Sequence, residues 1–112
     1  MIEAEQRRLQ HIRDAIARVR RYTRYGRGAF LEDEQAQDAV LRNLSVIGEA
    51  ASRLTLELRR THESIAWDGA IGLRHVVVHD YFRISLDRIW DVVERDLPHL
   101  DGQIAGLVGG SA

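Results

Sequence analysis

Gly72-Leu73-Arg74-His75-Val76-Val77-Val78-His79-Asp80-Tyr81 is the segment on which the choice between a helical and a β-sheet fold depends. Its three consecutive valines fit either a buried strand or the apolar face of a helix. The rest of the chain offers no second convincing strand to pair with it, so we predict a helix that starts at Trp67, with Asp68 as its N-cap. The chain is therefore expected to be all-α.

Apolar residues recur at helical spacing in the rest of the chain as well. They predict a first helix over residues 3–24 and a second over residues 33–54. Another helix should begin at Leu86, and Pro98 should end or kink it because proline lacks a backbone N–H donor. The pattern indicates a bundle of four or five helices.

The segments between these helices contain residues that interrupt helices. Gly26 and Gly28 should end the first helix, which leaves Phe30 and Leu31 in a connection. Residues 55–65 are polar and mixed, and we expect a loop there with about one helical turn.

The composition fits one soluble domain. Of the 112 residues, 45% are hydrophobic, which is enough for a single core. Cysteine is absent, which excludes disulfides, thiol catalysis and zinc–thiolate sites. No apolar stretch approaches the roughly 20 residues that span a membrane, and the acidic N-terminus is unlike a signal peptide, so we expect a cytoplasmic protein. The domain should cover residues 1–108, followed by a flexible tail over residues 109–112.

All 16 basic residues are arginine, and they are unevenly distributed. Residues 1–27 contain eight arginines against three acidic residues, a local net charge of +5, whereas the whole chain has a net charge of −1. Within the predicted first helix, Arg13, Arg20 and Arg24 form a stripe beside the apolar face. This stripe is a candidate nucleic-acid-binding surface, and the alternative is a solvated helix face that acidic neighbours balance.

Arg74 and His79 are polar residues inside an apolar run, where both are costly to bury without partners. At about 100° per residue they point about 140° apart, so one straight helix cannot aim them at the same point. Either the helix ends near Val78 and lets His79 and Tyr81 swing round, or a second copy of the chain packs alongside and the two chains line one cleft.

An imidazole and a guanidinium together could cleave RNA without a metal ion. The imidazole titrates near physiological pH, so it could take a proton from a ribose 2′-hydroxyl or donate one to a leaving 5′-oxygen. The guanidinium could stabilise the charge that develops on the phosphate. The structural alternative is that Arg74 pairs with a carboxylate and that His79 is hydrogen-bonded in the core.

A metal site is a rival interpretation of the same stretch. His75 and His79 are four residues apart, the spacing that lets two histidines bind one metal ion from one face of a helix. Asp80 could be a third ligand only if the helix breaks there. No His-Glu-x-x-His pattern accompanies them, so we expect no metal and no other cofactor.

The arginine, histidine and tyrosine stand in a longer pattern. The motif reads Gly72-Leu73-Arg74, four residues, His79, one residue and Tyr81, and it is followed by Leu86-x-x-Ile89-Trp90-x-x-Val93 and Asp96-Leu97-Pro98-x-Leu100. Together with residues 38–51, this pattern resembles the HepT-like toxins, which are minimal HEPN-domain proteins. The resemblance extends over residues 5–105.

This resemblance implies an all-α homodimer in which two motifs face each other across a cleft. It implies metal-independent RNA cleavage, with Arg74 and His79 catalytic and with His75 and Asp80 as supporting residues of the motif. It also implies a partner, a minimal nucleotidyltransferase antitoxin that can transfer AMP from ATP to Tyr81. A bulky anionic adduct there would block the cleft and compete for the positive charge of Arg74.

Two other functions stay open at this point. The chain could be a non-catalytic, nucleotide-binding helical partner subunit of a nucleotidyltransferase, or a dimeric helical scaffold. Intact Arg74 and His79 favour the enzyme. The residue after the arginine is commonly asparagine or another polar residue in the HepT-like toxins and is His75 here, which leaves the orientation of the polar groups of the motif open.

Overall fold

The computed structural model describes residues 1–79 and 85–109, and of residues 76–79 and 109 only the backbone. All regular secondary structure in these ranges is helical, which confirms the predicted all-α class, although the helices are more numerous than the four or five predicted. The elements are α1 (Glu3–Tyr22), α2 (Gly26–Glu32), α3 (Glu34–Ser52), α4 (Leu56–Thr61), α5 (Trp67–His79), α6 (Leu86–Asp91), a π-helical segment (Val92–Asp96) and α7 (Leu97–Gly109). None of the described helices is long and apolar enough to cross a membrane.

Helix α3 is the central element of the bundle. It packs against both α1 and α5, and α7 packs against α1. The apolar stripes that predicted the long helices supply the core, because they face inward at the crossings between these helices. The most deeply buried large side chains are Phe30, Leu9, Ile12, Ile16, Leu44, Ile47, Ile89, Leu97, Ile104, Val19 and Val40.

Helix α2 occupies a segment that was predicted to be a connection. Phe30 explains the difference, because its ring is buried and packs against Trp90 with the ring centroids 5.6 Å apart. The side chain of Gln37 donates hydrogen bonds to the carbonyl oxygens of Phe30 and Leu31, at 3.0 and 3.2 Å, and so ties the end of α2 to α3. Gly26, with a φ of 93°, breaks the backbone between α1 and α2.

The short helix α4 lies in the predicted loop and is fastened to α1. Thr55 is its N-cap, and the side-chain oxygen accepts a hydrogen bond from the N–H of Leu58 at 3.1 Å. The Thr55 hydroxyl in turn donates to the buried carboxylate of Glu5. Arg8 donates from Nη1 to the carbonyl oxygen of Arg53 at 3.0 Å, just after α3 ends. The start of α1 therefore holds the turn between α3 and α4.

Helix α5 begins at Trp67 as predicted, but Asp68 is not its N-cap, because Asp68 is already the second residue of the helix. Trp67 is buried, and its indole Nε1 donates a hydrogen bond to the carbonyl oxygen of His62 at 3.0 Å. This anchoring of the indole sets the start of the helix. Asp68 lies in the first turn, where its negative charge still favours the helix dipole.

Pro98 does not end the last helix. Helix α6, the π-helical segment and α7 follow one another without a break, and α7 continues through Gly109. Immediately before Pro98, the N–H of Leu97 donates to the carbonyl oxygen of Val92, five residues back. This wider π-helical spacing lets the backbone accommodate a residue that has no N–H of its own. The rest of the predicted tail lies outside the described residues.

Helices α3 and α5 approach each other closely at Gly48. A Cβ atom built on Gly48 would lie 2.7 Å from the backbone nitrogen of Arg74, 2.9 Å from its Cβ, and 3.0 Å from the carbonyl oxygen of Ile71. These atoms belong to the α5 backbone or are bonded to it, so they cannot move aside as the end of a flexible side chain can. Glycine at this crossing therefore sets the position of Arg74 relative to α3.

The substitution Gly48→Ala should destabilise the fold, because the added methyl group forces α3 and α5 apart. Overpacking of this kind costs about 1–3 kcal/mol. Gly102→Ala is the matched control, since a Cβ there meets no described atom within 4 Å. In the control, alanine should stabilise α7 by about 0.5–1 kcal/mol. Urea unfolding followed by circular dichroism measures both changes, and equal stability of the two variants would contradict the close crossing.

Candidate functional site

Arg74 lies on α5 where this helix crosses α3, and its side chain is 36% exposed. Its Nη1 donates a hydrogen bond to Oε2 of Glu49 at 3.4 Å. Its Nε is buried and has no hydrogen-bond partner among the residues that the structure describes. Because a guanidinium carries five N–H donors, this one long hydrogen bond leaves capacity to bind an anion.

Glu49 follows Gly48 on α3 and pairs with two arginines. Its Oε1 accepts a hydrogen bond from Nε of Arg53 at 3.3 Å, and its Oε2 accepts the one from Arg74 at 3.4 Å. Hydrogen bonds between charged groups are normally about 2.7–2.9 Å long, so both of these are weak. The Glu49 side chain is also 52% exposed, and exposed ion pairs contribute little to stability. Glu49 can therefore orient the Arg74 guanidinium while leaving other N–H donors of this group free to bind an anion.

The other residues of the motif are described only in part. His75 is exposed, and α5 is helical through His79, so the backbone does not turn away at Val78. The side chain of His79, and the whole of Asp80 and Tyr81, lie outside the described residues. Within the described ranges, no group of three or more His, Cys, Asp or Glu side chains could hold a metal ion.

The predicted arginine stripe is divided, because α1 ends at Tyr22 and carries only Arg13 and Arg20 of the three, whereas Arg24 lies in the turn before α2. Arg13 donates from Nε to Oδ1 of Asp101 on α7 at 3.0 Å, and both side chains are partly buried. Arg20 and Arg24 are exposed, and the guanidinium of Arg24 lies over the ring of Tyr25, 4.6 Å from the ring centroid. Arg13 therefore holds α1 against α7, whereas Arg20 and Arg24 remain accessible.

A second group of basic residues lies outside the predicted stripe. Arg7, Arg8 and His11 on α1 line a groove of about 610 Å³ together with Glu49 and Arg53 from the end of the α3 segment. We call this space the α1–α3 groove. Arg7 and His11 are four residues apart, so a helical wheel of α1 could have placed them on one edge. The contribution of Arg53 depends on how α3 packs against α1, and no local pattern signals it.

The chain matches a known protein family and several known proteins. The model of the ribonuclease HepT-like family matches residues 12–106. The chain is 33% identical over 100 residues to the "Probable ribonuclease HepT" of Thermococcus cleftensis, which covers 88% of this chain and 91% of that protein. It is also 33% identical over 101 residues to the "Gamma-glutamylcyclotransferase and putative RNase MJ0434" of Methanocaldococcus jannaschii, which covers 89% of this chain and 46% of that protein.

The chain thus spans about half the length of the Methanocaldococcus protein and nearly all of the Thermococcus protein. No solved structure matches the chain. The match to the family model runs from α1 into α7, and it includes the crossing of α3 and α5 at which Arg74 lies. The chain belongs to the ribonuclease HepT-like family, as the resemblance of its motif implied.

Proposed function

We propose that this chain is an endoribonuclease that cleaves RNA without a metal ion, with Arg74 and His79 as its catalytic residues. Membership of the ribonuclease HepT-like family supports the activity. The structural observation that carries the proposal is Arg74, whose backbone lies at the crossing of α5 with α3 and whose partly exposed guanidinium donates one long hydrogen bond among the described residues. A guanidinium in this setting can bind a phosphodiester through paired N–H donors.

In the proposed reaction, His79 transfers protons and Arg74 stabilises negative charge. The imidazole of His79 takes the proton of a ribose 2′-hydroxyl, and the oxygen attacks the adjacent phosphorus. The bond from phosphorus to the 5′-oxygen then breaks, and that oxygen receives a proton from an imidazolium. Arg74 stabilises the negative charge that builds up on the phosphoryl oxygens. The products are a 2′,3′-cyclic phosphate and a 5′-hydroxyl, and the nucleophile comes from the RNA itself.

We further propose a homodimer in which two motifs face each other across a cleft. Helix α5 keeps a helical backbone through His79, so no early helix end is available to bring Arg74 and His79 together within one chain. Gly72, on the same helix, adds support. A Cβ there would meet nothing within 4 Å among the described residues, although glycine costs a helix about 0.5–1 kcal/mol relative to alanine. Close approach of a second copy would account for this glycine.

The proposed biological role is that of the toxin in a toxin–antitoxin pair. A minimal nucleotidyltransferase antitoxin would neutralise it by transferring AMP from ATP to the phenol of Tyr81. The adduct would place a bulky negative group two residues from His79 and compete with RNA for Arg74. His75 and Asp80 are proposed as supporting residues that orient the polar groups of the motif.

Arg74→Lys and His79→Ala should each slow cleavage of a single-stranded RNA by at least about 100-fold. Lysine keeps the charge but loses the two-pronged geometry of arginine, and alanine removes the proton carrier. Rates are measured in EDTA, and circular dichroism verifies folding. Arg60→Ala, at an exposed position on α4, is the control and should cleave at the wild-type rate. Unchanged cleavage by folded His79→Ala would refute its role, and loss of wild-type activity in EDTA would favour a metal site.

A mixture of Arg74→Ala and His79→Ala chains tests the shared cleft. A dimer of either variant alone lacks Arg74 or His79 in both copies. A mixed dimer keeps Arg74 of one copy and His79 of the other, and these two side chains can meet across the interface. After the two are unfolded and refolded together, cleavage should recover to about a quarter of the wild-type rate, because half of the dimers are mixed and each restores one of two sites. If native mass spectrometry detects mixed dimers that do not cleave, each chain builds its own site.

Incubation with a cognate nucleotidyltransferase and ATP should add AMP to the peptide that contains Tyr81 and stop RNA cleavage. Peptide mass spectrometry locates the adduct. Tyr81→Phe should resist modification and inhibition because it has no phenol oxygen to accept AMP. Tyr25→Phe is the control at an exposed tyrosine and should be modified like the wild type. An adduct on any residue other than Tyr81 would contradict the proposed switch.

A further inference from the structure

The α1–α3 groove is a basic concave surface among the described residues, and one of its lining residues, Glu49, pairs with Arg74. Four of its lining residues are Arg7, Arg8, His11 and Arg53, and its acidic residue is Glu49. The carboxylate of Glu49 pairs with Arg53 on the groove side and with Arg74 on α5. This shared carboxylate links the floor of the groove directly to the proposed catalytic arginine.

Two arginines of the groove are held in place by hydrogen bonds and keep further donors unused. Arg8 uses Nη1 to hold the carbonyl oxygen of Arg53, at 3.0 Å, and Arg53 uses Nε to reach Glu49 at 3.3 Å. Both guanidiniums keep further N–H donors. Arg7 and His11 are exposed and form no hydrogen bond or ion pair with other described residues. The groove therefore combines fixed donors with accessible ones, an arrangement that suits a chain of anionic groups.

The basic surface continues along α1 beyond the α1–α3 groove. A second cavity, of about 500 Å³, shares Val46 with the groove and is lined by Arg18 and Arg42, with Asp38 as its acidic residue. Arg18 donates from Nε to Oδ1 of Asn43 at 2.8 Å, which fixes its guanidinium against α3. Arg42 is exposed. The arginines are therefore arranged along the direction of α1, as contacts with the backbone of an extended nucleic acid strand would require.

We propose, on the basis of the ribonuclease function proposed above, that the α1–α3 groove and the adjoining cavity bind the phosphate backbone of the single-stranded RNA next to the bond that is cut. Arg74 binds the scissile phosphate, and Arg7 and Arg42 contact phosphates farther along the strand. Contacts of this kind fix the register of the RNA without reading its bases. The groove thus determines how the strand is held, and the motif determines where it is cut.

The double variant Arg7→Gln/Arg42→Gln tests this assignment against a double variant of equal charge, Arg60→Gln/Arg95→Gln. All four arginines are exposed, so the substitutions should leave the fold intact, which circular dichroism verifies. The probe is a fluorescent single-stranded RNA whose 2′-hydroxyls are all methylated, so that it binds but cannot be cut. Fluorescence anisotropy in EDTA at several salt concentrations gives the dissociation constant and its salt dependence.

The groove variant should bind the probe roughly tenfold more weakly, and its log–log salt slope should be smaller by about 0.7 for each lost phosphate contact. The control variant should bind within about twofold of wild type. With unmodified RNA, the groove variant should show a raised KM and a kcat close to wild type, since Arg74 and His79 are unchanged. Equal effects of the two double variants, or unaltered binding by the groove variant, would overturn the assignment.

The experiments distinguish a wrong assignment of the RNA-binding groove from a wrong assignment of the ribonuclease activity. If the wild type cleaves RNA but both double variants bind the probe equally well, the groove assignment is wrong and the nuclease stands. If the wild type binds the probe through the groove but never cleaves unmodified RNA, the nuclease function is wrong and the binding surface stands. If the wild type neither binds the probe nor cleaves unmodified RNA, both are overturned.

Discussion

The contact between α3 and α5 at Gly48 is the constraint on which the candidate site depends. Any side chain at this position would meet the backbone nitrogen and Cβ of Arg74 at less than a contact distance, 2.7 and 2.9 Å. The same closeness brings Glu49, the next residue on α3, within reach of the Arg74 guanidinium. Because α3 also packs against α1, the crossing fixes the position of Arg74 relative to the α1–α3 groove as well.

The ion pair between Arg74 and Glu49 is long and exposed, which suits the proposed role of Arg74 in binding a phosphate. A buried, bidentate pair would occupy the guanidinium, and breaking it to bind a phosphate would be costly. A guanidinium with no carboxylate nearby would sample many rotamers and lose entropy on binding. The observed pair is long and open to solvent, so a phosphodiester with better geometry can displace the carboxylate. Glu49 also forms an ion pair with Arg53, and this second pair weakens the interaction of Glu49 with Arg74 further.

The sequence predicted what depends on local periodicity and missed what depends on tertiary contacts. The long helices were predicted because their apolar stripes are the stripes that fill the core. Helix α2 was missed because burial of Phe30, not a repeating pattern, stabilises it. Continuation of the helix through Pro98 depends on a π-helical segment that has no sequence signature. Arg74 was predicted from its motif, whereas Glu49 and Arg53 become candidate site residues only when α3 is packed between its neighbours.

The chemical ends of the RNA fragments test the central claim, which is that Arg74 and His79 direct a ribose 2′-hydroxyl against the neighbouring phosphate. A defined single-stranded RNA is cleaved by the wild-type protein in EDTA, and the fragments are analysed by mass spectrometry. We predict a 2′,3′-cyclic phosphate on the upstream fragment and a 5′-hydroxyl on the downstream fragment. Fragments that end in a 3′-hydroxyl and a 5′-phosphate would mean that water was the nucleophile, and they would contradict the account.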